Sequence, residues 1–103
     1  MKAILYYPSI KMDGQPIVNR DDIMLSHVKQ IVTISGGATV DNNSAGYWNN
    51  VKNELVQENV NRITVFLADA KQYDKFIALC QKIKNDLNQE SFLIEKNGKA
   101  VFL

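Results

Sequence analysis

One cysteine, one histidine and one tryptophan occur in this sequence, with two prolines and five glycines. A lone Cys80 has no partner for an intramolecular disulfide and supplies no thiolate cluster. A lone His27 cannot build a classical zinc centre, which needs three or four nitrogen or sulfur ligands. Charge of one sign is also missing, since twelve Lys+Arg against eleven Asp+Glu leave a net +1. Proteins that grip a phosphate backbone carry a basic excess or stripe, so general nucleic-acid binding is not expected. Long hydrophobic runs are absent. The apolar stretch from Ala3 to Tyr7 stops at Pro8, too short for a signal-peptide core or a bilayer span. No basic amphipathic stretch addresses a membrane surface. A cytoplasmic setting is expected, in keeping with an unpaired thiol. Asn42-Asn43-Ser44 matches a glycosylation acceptor, but with no secretory signal it is read as chance.

What is present suits one domain, residues 1–103. Hydrophobic residues make up 46% and charged residues 22%, the balance of a globular domain. Residues 2–7 read as a strand ended by Pro8, which has no N–H for a ladder. Asp13-Gly14 marks a turn. Asn19 or Asp21 then caps a helix over about 22–34, with Met24, Val28 and Ile31 along one face and Gly36-Gly37 at its end. Residues 62–68 are apolar on both faces, the pattern of a central strand. A second helix follows to about residue 88, with Tyr73, Phe76, Ile77, Cys80, Ile83 and Leu87 as its stripe. Asn97-Gly98 sits between two short strands, the strongest local signal for a tight hairpin. The middle is less conventional: seven of eleven asparagines lie between Asn42 and Asn61. There a short strand at 38–40 and a hairpin arm at 54–57 are expected. The order predicts an α+β, two-layer, ferredoxin-like (split βαβ) sandwich with extra strands and a C-terminal β-hairpin. The alternative is another two-layer order with a longer central hairpin.

Chemistry-bearing residues are few. His27 lies in mid-helix beside an apolar stripe and reads as a core or boundary histidine. Cys80 in mid-stripe reads as an inert packing thiol. Gly36-Gly37 follows a helix rather than preceding one, so it reads as a cap and not a phosphate loop. Gly46-Tyr47-Trp48 offers a platform for a planar ligand, against the plainer reading that Trp48 covers one end of the core. Glu54, Glu58 and Glu90 would form an acid/base or metal-binding group only if the fold brings them together.

Three motifs in order, Gly36-Gly37-Ala38-Thr39-Val40, Gly46-Tyr47-Trp48 with Val56-Gln57-Glu58, and Asn88-Gln89-Glu90-Ser91-Phe92-Leu93, carry a resemblance. They resemble small uncharacterised bacterial, plasmid and phage proteins with glycine-x-threonine, glycine-x-tryptophan and late glutamine-glutamate motifs. The resemblance covers roughly residues 30–95 and implies a compact α+β fold in a prokaryotic or phage setting. Its matching positions are Gly37, Thr39, Gly46, Trp48, Glu58, Gln89 and Glu90. The chain departs from the commoner pattern at Ala38 and at Asn88, where a glycine often precedes the Gln-Glu pair.

Two functions follow as expectations. The first is a non-enzymatic interaction module that self-associates as a homodimer through its open sheet. It would bind a protein partner or small nucleotide near Gly46–Trp48, through Thr39, Tyr47, Trp48, Glu58, Gln89 and Glu90, with no cofactor and no metal. The alternative is a small enzyme acting on a nucleotide-like substrate, with Glu58 and Glu90 as acid/base groups or metal ligands and Trp48 stacking on the substrate. The first is favoured at this point because one His and one Cys assemble no nucleophile–base pair.

Overall fold

The computed structural model describes all residues, 1–103. Its elements run β1 (Lys2–Tyr7), α1 (Arg20–Ser35), β2 (Thr39–Asn49), β3 (Leu55–Phe66), α2 (Ala70–Asp86), β4 (Leu93–Lys96) and β5 (Lys99–Phe102). The five strands form one antiparallel sheet in the order β2-β3-β1-β4-β5. The first four strands with α1 and α2 make the ferredoxin-like arrangement, and β5 is a single added edge strand.

Alternation along the strands decides which face the helices cover. Ala3, Leu5 and Tyr7 of β1 pair with Val65, Ile63 and Asn61 of β3, so these six share a face. The apolar members of that set join Ile31 of α1 and Phe76, Cys80 and Ile83 of α2 in one buried cluster. Lys2, Ile4 and Tyr6 point the other way, toward a face without helices. Phe66 and Phe102 are 69% and 70% exposed.

The helix ends follow the backbone needs of their sequences. Asp69 caps α2 by accepting from the Gln72 amide at 2.9 Å. At the other end Asn88 takes φ 52, its amide donates to Asn85 and the Gln89 amide donates to Lys84. That is a Schellman closure with asparagine in place of the usual glycine. The expected cap at α1 is corrected in detail: Asn19 stands at the cap position with φ 55 and makes no side-chain bond. Asn97 and Gly98, at φ 49 and 84, give the tight turn between β4 and β5 the two positive angles it requires.

The middle of the chain departs most from expectation. Instead of a short strand, a punctuated loop and an arm, residues 39–66 form one long hairpin of two strands, 11 and 12 residues long. Asparagine has poor intrinsic strand preference, but continuous pairing with a partner strand overrides it. The surplus is absorbed by a bulge where the register shifts between Asp41 and Ser44. No helix is long and apolar enough to cross a membrane.

Candidate functional site

A cleft of about 1170 Å³ opens on the helix-free side of the sheet. Its floor carries Tyr6 of β1, Arg62, Val60 and Glu58 of β3, and Gly46 and Trp48 of β2. One wall is the segment after β1, and the other is the connection from α2 into β4, including Gln89 and Glu90. The Arg62 guanidinium lies over the Tyr6 ring, 5.9 Å from its centroid, holding a cation beside an aromatic face.

Gly46-Tyr47-Trp48 sits in a strand, not a loop. Gly46 pairs with Glu58 and Trp48 pairs with Val56, which puts the glycine opposite the carboxylate with no side chain to cover it. A Cβ on Gly46 would meet only the Val60 Cγ1 atom, at 3.4 Å. Trp48 is 38% exposed and Tyr47 61%, so Trp48 lines the cleft and does not cap the core.

The Ser9–Ile17 wall is a small hairpin. Ile10 bridges Pro16, the Lys11 amide donates to the Gln15 carbonyl at 2.8 Å and the Ile17 amide to Ser9 at 3.1 Å. One oxygen of Glu58 holds it down. Glu58 Oε2 accepts from the Ser9 amide at 3.0 Å, the Ser9 hydroxyl at 3.3 Å and the Ile10 amide at 3.1 Å. Glu58 is therefore a fixed, oriented negative charge at the base of the cleft.

Five of the six sequence-predicted residues thus come together: Tyr47, Trp48, Glu58, Gln89 and Glu90 line one cleft, and Glu54 joins them. Thr39 does not. It pairs with Thr64 beyond the bulge and is corrected out of the site, because a strand residue before the register shift lies at the other end of β2. Glu58 and Glu90 belong to no group of three His, Cys, Asp or Glu side chains able to hold a metal ion. Tyr6, Arg62 and the Ser9–Ile17 wall were not anticipated. Only Asp13-Gly14 signalled that wall, and the Tyr6–Arg62 pairing spans two strands far apart in sequence.

A second polar cluster lies on the helix side of the sheet. Tyr7 shares its hydroxyl with His27 Nδ1 at 2.8 Å, and His27 Nε2 faces Asp86 at 3.4 Å. Arg20 donates to the Pro8 carbonyl at 2.7 Å and to the Asn61 side chain. Burial pushes the Cys80 thiol up to about 12, which keeps it protonated and inert.

No family model matches the sequence, and no curated protein does. Two solved structures match its fold. A phage SAM lyase in complex with S-methyl-5′-thioadenosine superposes at a TM-score of 0.70 with 19% identity, covering 99% of this chain and 87% of that one. A phage SAM lyase in its apo state gives 0.64 and 20%, covering 99% and 86%. These structures overturn the expectation of a non-enzymatic interaction module: the fold seen along nearly the whole chain is one that an enzyme uses, and the small-enzyme alternative is the reading they support.

Proposed function

We propose that this protein is a small enzyme that binds a nucleoside sulfonium in the open-face cleft and cleaves it as a lyase, with S-adenosylmethionine (SAM) as the substrate. The observation that carries the reading is the joining of aromatic faces and carboxylates in one cleft, on a fold shared with a phage SAM lyase. Such a substrate has three parts, and the cleft offers a counterpart to each. Trp48 presents a ring for stacking against a planar base, and Tyr6 adds an aromatic face on the same side of the sheet. Glu58 and Glu54 supply negative charge for the sulfonium and ammonium groups. Arg62 supplies a guanidinium for the substrate carboxylate. The volume, about 1170 Å³, lies somewhat above the roughly 300–1,000 Å³ usual for small-molecule sites.

Release of S-methyl-5′-thioadenosine breaks the bond between the sulfonium sulfur and the four-carbon amino-acid chain. The electron pair passes to sulfur, which becomes neutral, while a proton passes from the adjacent carbon of the four-carbon fragment to Glu90 and the C–H pair it leaves closes a carbon–carbon double bond, without added water. Glu58, with one oxygen immobilised, acts as a stationary charge that orients the substrate. Glu90, exposed on the facing wall, is the group assigned to acid/base work.

Incubation with SAM and chromatography of the products tests this. S-methyl-5′-thioadenosine should accumulate, and Glu90→Gln should slow its formation by about 100-fold or more with an unchanged melting temperature. If the unaltered protein forms none, the reading fails; if Glu90→Gln keeps the full rate, the assignment of Glu90 fails.

A further inference from the structure

Gln89 stands on the wall of the cleft, yet its amide is turned toward the protein. Nε2 donates to the Ile10 carbonyl at 2.7 Å and to the Leu87 carbonyl at 3.1 Å. Both neighbours are acceptors, so the nitrogen must face them and only Oε1 is left over. The Ile10 peptide is gripped from both sides: its N–H by Glu58 and its C=O by Gln89. Next to it, the Met12 amide donates to the Asn88 carbonyl at 3.0 Å.

The base of this clamp is the closure of α2. Asn88 in the left-handed conformation and the Gln89 amide bonded back to Lys84 fix the backbone from which the Gln89 side chain reaches. Asparagine and glycine both accept that conformation readily. The clamp holds the turn that brings Lys11, Met12 and Asp13 to the cleft.

We propose that Gln89 is a positioning residue: through Ile10 it sets the Ser9–Ile17 hairpin against Glu58, and so fixes the width of the cleft for its ligand. The inference rests on the proposed SAM-type substrate only for the choice of probe. Because the hairpin forms a wall of the cleft and carries no group assigned to acid/base work, losing the clamp weakens binding more than it slows chemistry.

Two variants separate this role from a direct contact. Gln89→Leu removes both ends of the amide, whereas Gln89→Glu keeps an acceptor and loses the donor. Amide hydrogen exchange in the free protein should speed up by about tenfold at Lys11, Met12 and Ile17 in both variants, the equivalent of one neutral hydrogen bond. Leu5 and Ile63 in the central strands should keep their protection. Both variants should bind S-methyl-5′-thioadenosine about tenfold more weakly and show a raised KM for SAM, with kcat within about twofold of the unaltered enzyme. Unchanged exchange in the hairpin overturns the proposal. So does a Gln89→Glu protein that keeps full affinity while Gln89→Leu loses it, since Oε1 would then be touching the ligand. If the unaltered protein neither binds S-methyl-5′-thioadenosine nor consumes SAM, the functional reading fails, and the exchange result alone decides the role of Gln89.

Discussion

Trp48 is the sole indole in the chain, so its emission reports on one place in the cleft. At 38% exposure it is open enough to take a base on its ring, and S-methyl-5′-thioadenosine should change its fluorescence saturably. Base–aromatic stacking is worth about 1–3 kcal/mol. Trp48→Ala should therefore weaken binding by about tenfold or more, measured by titration calorimetry, since the variant has no indole to follow. Glu58 shows how one side chain serves two ends. Its Oε2 is committed to Ser9 and Ile10, and Gly46 across the ladder leaves the carboxylate uncovered. The motif Gly46-Tyr47-Trp48 was legible as a glycine beside two exposed aromatics, but its placement on a strand was not. Whether a residue lies on a strand in an Asn-rich stretch depends on the partner that pairs with it.

At the level of elements, the helix ends can be ranked by their bonds. Asp69 satisfies an otherwise orphaned amide of α2, and removing such a cap costs about 1 kcal/mol. Asp69→Ala should accordingly lower the thermal midpoint by about 4–8 °C for a domain of this size, read by circular dichroism. Asn19 at the start of α1 makes no side-chain cap bond and sits at φ 55. Asn19→Gly should leave the midpoint nearly unchanged in the same measurement, because glycine takes that angle without strain. The long β2–β3 hairpin brings Gly46 and Trp48 to the cleft, and its bulge separates them from Thr39. A register shift of this kind is set by cross-strand pairing and leaves no mark in the local sequence.

Across the whole molecule, His27 ties together β1, α1 and α2, through Tyr7 on one side and Asp86 on the other. Those partners assign the imidazole proton to Nε2, toward the carboxylate, and leave Nδ1 to accept from the Tyr7 hydroxyl. Burial lowers the His27 pKa below its ordinary 6.5, and this outweighs the hydrogen bond and charge of Asp86, which favour the imidazolium; Lys82 lowers it further. The unfolded chain therefore takes up the proton first as pH falls. Stability from this group is complete above 6.5 and declines below it, until the folded imidazole also protonates. Thermal melts should show a midpoint that drops as pH falls below 6.5, before the carboxylates begin to titrate near about 4. His27→Gln should flatten that part of the profile. An unchanged slope would show that His27 protonates equally in both states.

The sequence by itself determined the order of elements, the two amphipathic helices with their stops, the tight turn at Asn97-Gly98 and the burial of His27 and Cys80. All of these rest on periodicity and backbone preference, which act over a few residues. From that order the ferredoxin-like layering followed, because short connections and strand pairing leave few ways to cover one sheet with two helices. Only the tertiary structure decided the cleft. The bonds from Ser9 to Glu58 and from Gln89 to Ile10 join residues 49 and 79 positions apart. Contacts at such separations depend on how strands are ordered across the sheet, and no local pattern of side chains encodes them.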